Sequence, residues 1–211
     1  RWGTGSQRFS RPIRWLLALK GVDLIPVEIP GADPPVRSDR FSRGHRLHGD
    51  QPLPIDTAEA YDDTLAAAGV IVDRQQRAAL IRSQLDASAD QLNGLPDCPE
   101  SLFEELVDLV ESPRLLQGSI AERFLSLPPE VIITVMQAHQ RYVPLKVPEV
   151  TPDPLQLEAM GVLQRDFLLV GNGLEAADAL ITRGNERVLA ARLADAEFFL
   201  SVDRRQPSSV R

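Results

Sequence analysis

A chain of 211 residues, 43% hydrophobic and 25% charged, is long enough for one large or two small globular domains with a sizeable core. Its single cysteine, Cys98, excludes an internal disulfide and, with no CxxC or Cys/His set beside it, a structural zinc site, which fits a reducing cytoplasmic setting. No apolar run approaches the ~20 residues that span a bilayer, and a net charge of −7 argues against a protein that coats a polyanion, though not against a local basic patch.

Such a patch is where the chain starts. Residues 1–48 hold nine Arg/Lys against four Asp/Glu, a balance of +5 that leaves −12 for the remainder. With no initial Met, RWGTGSQRFSRPIRW reads as the interior of a longer protein. PIRWLLALKG carries a short helical stripe closed by glycine, and VDLIPVEIPG alternates like an edge strand holding Pro26. GADPPVRSDRFSRGHRLHGDQPLPI, rich in Gly, Pro and charge, reads as a loop that leads to another short strand.

Asp56 or Thr57 can cap a helix over AEAYDDTLAAAG, ended by Gly69; VIV follows as a short buried strand, and Asp73 can cap a helix over RQQRAALIRSQLDASADQLNG. PESLFEELVDLVES predicts an amphipathic helix, PRLLQGSI a weak strand, and LPPEVIITVMQAH a helix opened by proline. RYVPLKV and DFLLVGNG read as strands joined by an irregular excursion over residues 148–165. From Leu174 a helical pattern reaches about Val202, with Leu189, Leu193, Ala196 and Leu200 on the stripe that must face a sheet. The sum is an α/β or α+β fold, a mixed β-sheet with packed helices. It forms a single module over residues 1–203, including the basic opening 1–48, followed by a linker at 204–211.

Three arginine-rich stretches stand out from a simple core. In RGHR, Gly44 lets the backbone turn while Arg43 and Arg46 can each grip a pair of phosphate oxygens, with His45 able to titrate or stack. His139, Gln140 and Arg141 straddle a helix-to-strand boundary, where a protonated His139 can bond the last helical carbonyls and Arg141 begins the strand. On the last helix Arg183 and Arg187 are four apart and project together, and Arg192 and Asp195 can pair on a flank. A solvated surface laced by salt bridges accounts for such charges as readily as a ligand does. Catalytic templates are missing: no GxSxG, GxxxxGK[ST] or HExxH occurs, and GNGLEAAD lacks the spacing of a dinucleotide site, so neither catalytic nor metal-binding residues are expected.

Five blocks in order, RFSRPIRWLLAL, SRGHR, AGVIVDRQQRAALIRSQL, LPPEVIITVMQAHQRY and GNERVLAARLADAEFF, resemble the beta subunit of bacterial glycyl-tRNA synthetase over almost the whole chain. The resemblance implies an alpha2beta2 tetramer in which the alpha subunit holds the site that uses ATP to activate glycine and the beta subunit recognises tRNA(Gly). No cofactor is then expected in this chain itself. It also implies a fold similar to the editing-type domain of the phenylalanyl-tRNA synthetase beta chain, without transferring hydrolysis. Arg43, His45 and Arg46, then Arg183, Asn185, Arg187 and Arg192, become candidates for contacting RNA or a partner, and His139, Gln140 and Arg141 a structural or functional cluster. The connection between VPLKV and DFLLVGNG is longer and less regular than the family's usual one. Three roles compete: a noncatalytic module that positions tRNA, a scaffold between alpha and beta subunits, and, last, an editing-like hydrolase using His45 or His139 as base.

Overall fold

Short strands, not a helix, open the described part of the chain. The computed structural model describes residues 13–29, 34–148 and 161–205, and the chain folds as two units, Arg1–Asp73 and Arg74–Arg211. The first unit contains β1 (Leu16–Leu17), β2 (Leu19–Lys20), β3 (Asp23–Leu24), β4 (Glu28–Ile29), β5 (Val36–Asp39), β6 (Phe41–Arg43), β7 (Pro52–Pro54) and α1 (Tyr61–Ala67). β5 pairs in parallel with β1 and antiparallel with β4, while β2 pairs with β3 and β6 with β7.

The helix expected over PIRWLLALKG is therefore corrected to two strands. Its few apolar residues are too short a run to nucleate a helix unaided, and Gly21, at φ +55°, starts the tight turn that sets Lys20 opposite Asp23. The strand expected next breaks at Pro26, and Ser38 splints the break: its Oγ donates to the Ile25 carbonyl at 2.7 Å and accepts from the Val27 amide at 2.8 Å. The loop expected around RGHR is interrupted by two short strands, β5 and β6, before the short strand β7 that it leads to.

Thr57 caps as expected, its Oγ1 accepting from the Ala60 amide at 3.2 Å, on a 3-10 turn (Ala58–Ala60) that leads into α1. Gly69 ends that helix at φ +78°. VIV forms no strand; the Val70 amide is spent on the Leu65 carbonyl at 2.9 Å, closing the helix end.

The second unit contains α2 (Arg74–Leu92), β8 (Leu95–Pro96), α3 (Glu100–Leu109), β9 (Arg114–Ser119), α4 (Pro129–Thr134), β10 (Tyr142–Lys146), β11 (Leu163–Gly171) and α5 (Asp178–Arg205). A π-helical segment, Val135–Gln140, continues α4. Its sheet has the order β8-β10-β11-β9 and is antiparallel throughout. The expected mixed sheet is thus confined to the three short strands of the first unit. Residues 149–160 and the tail from 206 lie outside the described residues, as do residues 1–12 of the basic opening.

Strand alternation splits the second unit's core in two. Val143, Leu145 and Leu168 pack with Ile81 and Leu85 of α2 and Leu102, Phe103, Leu106 and Val107 of α3. Tyr142, Phe167 and Leu169 face the other way, against Ile132, Met136, Leu189 and Leu193 of α4, the π segment and α5. Gly118 makes room here, because a Cβ on it would stand 2.6 Å from the Phe167 ring. Truncating any of these buried aliphatics costs ~2–5 kcal/mol.

The edges of this sheet are guarded. β8 is two residues long and ends in proline. Along β9, the Leu115 amide donates to Gln84 Oε1 of α2 at 2.6 Å, and the Ser119 amide to Glu186 Oε1 of α5 at 2.8 Å.

Candidate functional site

RGHR sits between β6 and a 3-10 turn, Arg46–His48. Arg43 ends β6 opposite Pro52, and its Nη1 donates to the Asp50 carbonyl and, at 3.3 Å, to Asp50 Oδ1. Gly44 brings the backbone against α1's end: a Cβ there would meet Ala68 Cβ at 2.6 Å and its carbonyl at 2.9 Å. His45 is 2% exposed; its amide donates to the Ala68 carbonyl at 2.9 Å and its Nδ1 accepts from the Leu47 amide at 3.4 Å. The imidazole is thus an interior strut, and Arg46 is the exposed member, with no carboxylate partner among the described residues.

The helix-to-strand cluster is built by Arg141. It adopts φ +57°, its amide donates to the Met136 carbonyl, Nη1 donates to the Ala138 carbonyl, and Nε donates to Glu105 Oε1 of α3 at 2.7 Å. Arg141, rather than His139, thus satisfies the helix end. His139 is exposed, Gln140 half-buried, and β10 begins one residue later than expected, at Tyr142.

On α5 the predicted residues separate by role. Arg183, Arg187 and Arg192 are exposed; Arg183 Nε donates to the Ala179 carbonyl of its own helix at 3.2 Å, and Arg187 and Arg192 have no carboxylate partner among the described residues, so the expected Arg192–Asp195 pair is not formed. Asn185 turns inward: Tyr142 Oη donates to its Oδ1 at 2.6 Å, and its Nδ2 donates to the Ile181 carbonyl at 2.7 Å. Burial pushes the Tyr142 phenol up to about 12.

Sequence reasoning missed the latches that hold these surfaces. Arg114 grips Asp178 at 2.5 Å, fixing the start of α5 to β9, and Arg74 at the start of α2 reaches Glu104 and Asp108 of α3 at 2.5 and 2.8 Å. Partners this far apart in sequence leave no local pattern. It also passed over a cleft in the first unit lined by Arg14, Trp15, Arg37, Phe41 and Arg43, whose sequence signal was an aromatic next to Arg14 and another two residues before Arg43. Cys98 is half-buried, and desolvation pushes its thiol up to about 11, which disfavours the reactive thiolate. Among the described residues no three His, Cys, Asp or Glu are grouped to hold a metal, and no helix is long and apolar enough to cross a membrane.

Exposed guanidinium groups on a latched α/β frame are suited to recognising anions. The family model for the glycyl-tRNA synthetase beta subunit matches residues 1–211, and the chain belongs to that family. It is 41% identical over 207 residues to the glycine–tRNA ligase beta subunit of Gloeothece citriformis, 42% over 213 to that of Moorella thermoacetica, and 40% over 205 to that of Bacillus subtilis. These alignments cover 98%, 100% and 97% of this chain, which spans 28% of the length of each of these relatives.

Proposed function

We propose that this chain is part of a glycine–tRNA ligase, a cytoplasmic aminoacyl-tRNA synthetase that attaches glycine to tRNA(Gly) at the expense of ATP, and that its own task is to position tRNA rather than to catalyse. ATP and glycine are substrates of the partner alpha subunit, with which the beta subunit forms an alpha2beta2 tetramer. A fold kinship with the editing-type domain of the phenylalanyl-tRNA synthetase beta chain belongs to the same reading, and no hydrolytic role follows from it.

One observation carries the reading. Arg43, Arg74, Arg114 and Arg141 are all drawn into ion pairs within the fold, whereas Arg46, Arg187 and Arg192 are exposed and have no carboxylate partner among the described residues, in a chain of net charge −7. Arg43 and Arg183 keep unused N–H donors beside them, while His45 and Asn185 act by holding the backbone that presents the arginines. Arginines of this kind contact phosphates and fix register without reading sequence.

The test is tRNA(Gly) affinity of the intact tetramer across a salt series, comparing wild type with Arg187→Ala plus Arg192→Ala. Affinity should fall, and the slope of log K against log salt should flatten by about one unit for each phosphate that the variant no longer neutralises. Unchanged affinity and slope in an assembled tetramer would reject RNA positioning by α5. A scaffold role is favoured by Leu180, Phe198 and Phe199, which are exposed on the same helix; it takes over if the double variant releases the alpha subunit before RNA is added.

A further inference from the structure

Trp15 immediately precedes β1 and Phe41 opens β6, and their side chains are 47% and 41% exposed. Both line a cleft of about 420 Å³, together with Arg14, Arg37, Asp39 and Arg43. That volume falls within the ~300–1,000 Å³ of ordinary ligand clefts. Trp15 also borders a second cleft of about 490 Å³, shared with Ser42 and Tyr61, so open space adjoins the indole in two directions. Among the described residues neither ring stacks on another aromatic, and no guanidinium lies over either one. Aromatic side chains ordinarily bury most of their surface; here two are held open beside three guanidinium groups.

Strand pairing fixes them there. β1 is paired with β5, placing Leu17 opposite Asp39, and β6 is paired with β7, placing Phe41 opposite Pro54. The arginines retain capacity as well. Arg14 has no carboxylate partner among the described residues, Arg37 commits only Nε to Glu28 at 2.8 Å, and Arg43 commits only Nη1 to Asp50. Three cations against one lining carboxylate favour a polyanion over a peptide.

We propose that this cleft binds an unpaired nucleotide of single-stranded RNA, its base stacked on Trp15 beside Phe41 and its flanking phosphates taken by Arg14, Arg37 and Arg43. Every base has a face to stack, and the phosphates on either side supply the matching charge. The proposal rests on the RNA-facing reading of the chain and names which part of an RNA this unit takes: a single-stranded stretch, such as an end or a splayed loop, and not a duplex.

The test uses the 211-residue chain with a fluorescein-labelled single-stranded RNA of about six nucleotides, within the site sizes of such clefts, read by anisotropy. Competitors are an abasic ribose-phosphate oligomer of equal length, a duplex RNA and an oligoglutamate of matched charge. The RNA should bind more tightly than the abasic oligomer by about fivefold to a hundredfold. Trp15→Leu should abolish that difference, Trp15→Phe should restore most of it, and Arg14→Gln should flatten the salt slope by about 0.7 units. Absence of binding, equal binding of the abasic oligomer, or equal competition by oligoglutamate or duplex overturns the proposal. So does retention of the base preference by a folded Trp15→Leu protein. Should Trp15→Leu fail to fold, Phe41→Leu and quenching of the Trp15 emission by bound RNA, read in a Trp2→Phe background that leaves Trp15 the sole tryptophan, decide instead, and an absence of both effects also overturns it. The tetramer assay on Arg187 and Arg192 alters no residue of this cleft, so the failure of one reading is separable from failure of the other.

Discussion

Arg141 shows how one residue can carry two opposed contributions. Its left-handed backbone, φ +57°, is a conformation that side chains other than glycine's resist, yet its guanidinium ties the end of the π segment to Glu105 of α3. Replacement by alanine keeps the strain and discards the ion pair; replacement by glycine discards both. Arg141→Ala should therefore lower stability by about 1–2 kcal/mol and Arg141→Gly by about 1 kcal/mol less, the reverse of the usual order of alanine and glycine. Thermal or urea unfolding of the two variants checks the order, and a glycine variant less stable than the alanine one would refute it. Trp15 and Phe41 are the contrasting case, residues whose surroundings within their own unit do not account for their exposure.

At the scale of elements, α2 is joined to α3 through Arg74, whose hydrogen bond to Asp108 is the main cause that holds this carboxyl below its ordinary value, and desolvation acts against it. A depressed carboxylate stabilises the fold above its unfolded pKa and loses that contribution as pH falls through the folded one. Arg74→Met should thus be less stable than wild type near neutral pH, and the gap should close as pH drops below the ordinary aspartate range of about 4. Chemical denaturation at several pH values measures it; a gap that persists in acid would assign the effect to packing instead. Longer elements were legible in the sequence: α2, α3, the Pro129 start of α4, the strands β9 and β10 and α5 stand close to where apolar spacing and capping residues put them, while β11 begins at Leu163, three residues inside the stretch expected to be irregular. The first unit was not, because two-residue strands such as β1, whose partner is β5, and β3, whose partner is its hairpin neighbour β2, offer no period to read. RGHR stood out in the sequence, but its composition could not reveal that Arg43 ends a strand, that Gly44 is pressed against Ala68 or that His45 is interior.

For the whole molecule, the proposal that an alpha subunit activates glycine sets what the chain should be unable to do alone. Purified without an alpha subunit, it should support no glycine-dependent exchange of pyrophosphate into ATP, and adding the alpha subunit with the remainder of the beta subunit should restore it; exchange by this chain alone would place activation here after all. The guarded borders of the second unit's sheet bear on how that assembly forms. With one border a two-residue strand ending in proline and the other's amides at Leu115 and Ser119 engaged by side chains from flanking helices, backbone annealing of a foreign strand has little to grip. Docking on this unit by strand addition is therefore disfavoured, which leaves its side chains as the main surface for recognition. If the proposed contacts to RNA or to a companion subunit fall on this unit, affinity there is built from separable increments that single substitutions can retune while the fold beneath stays as it is.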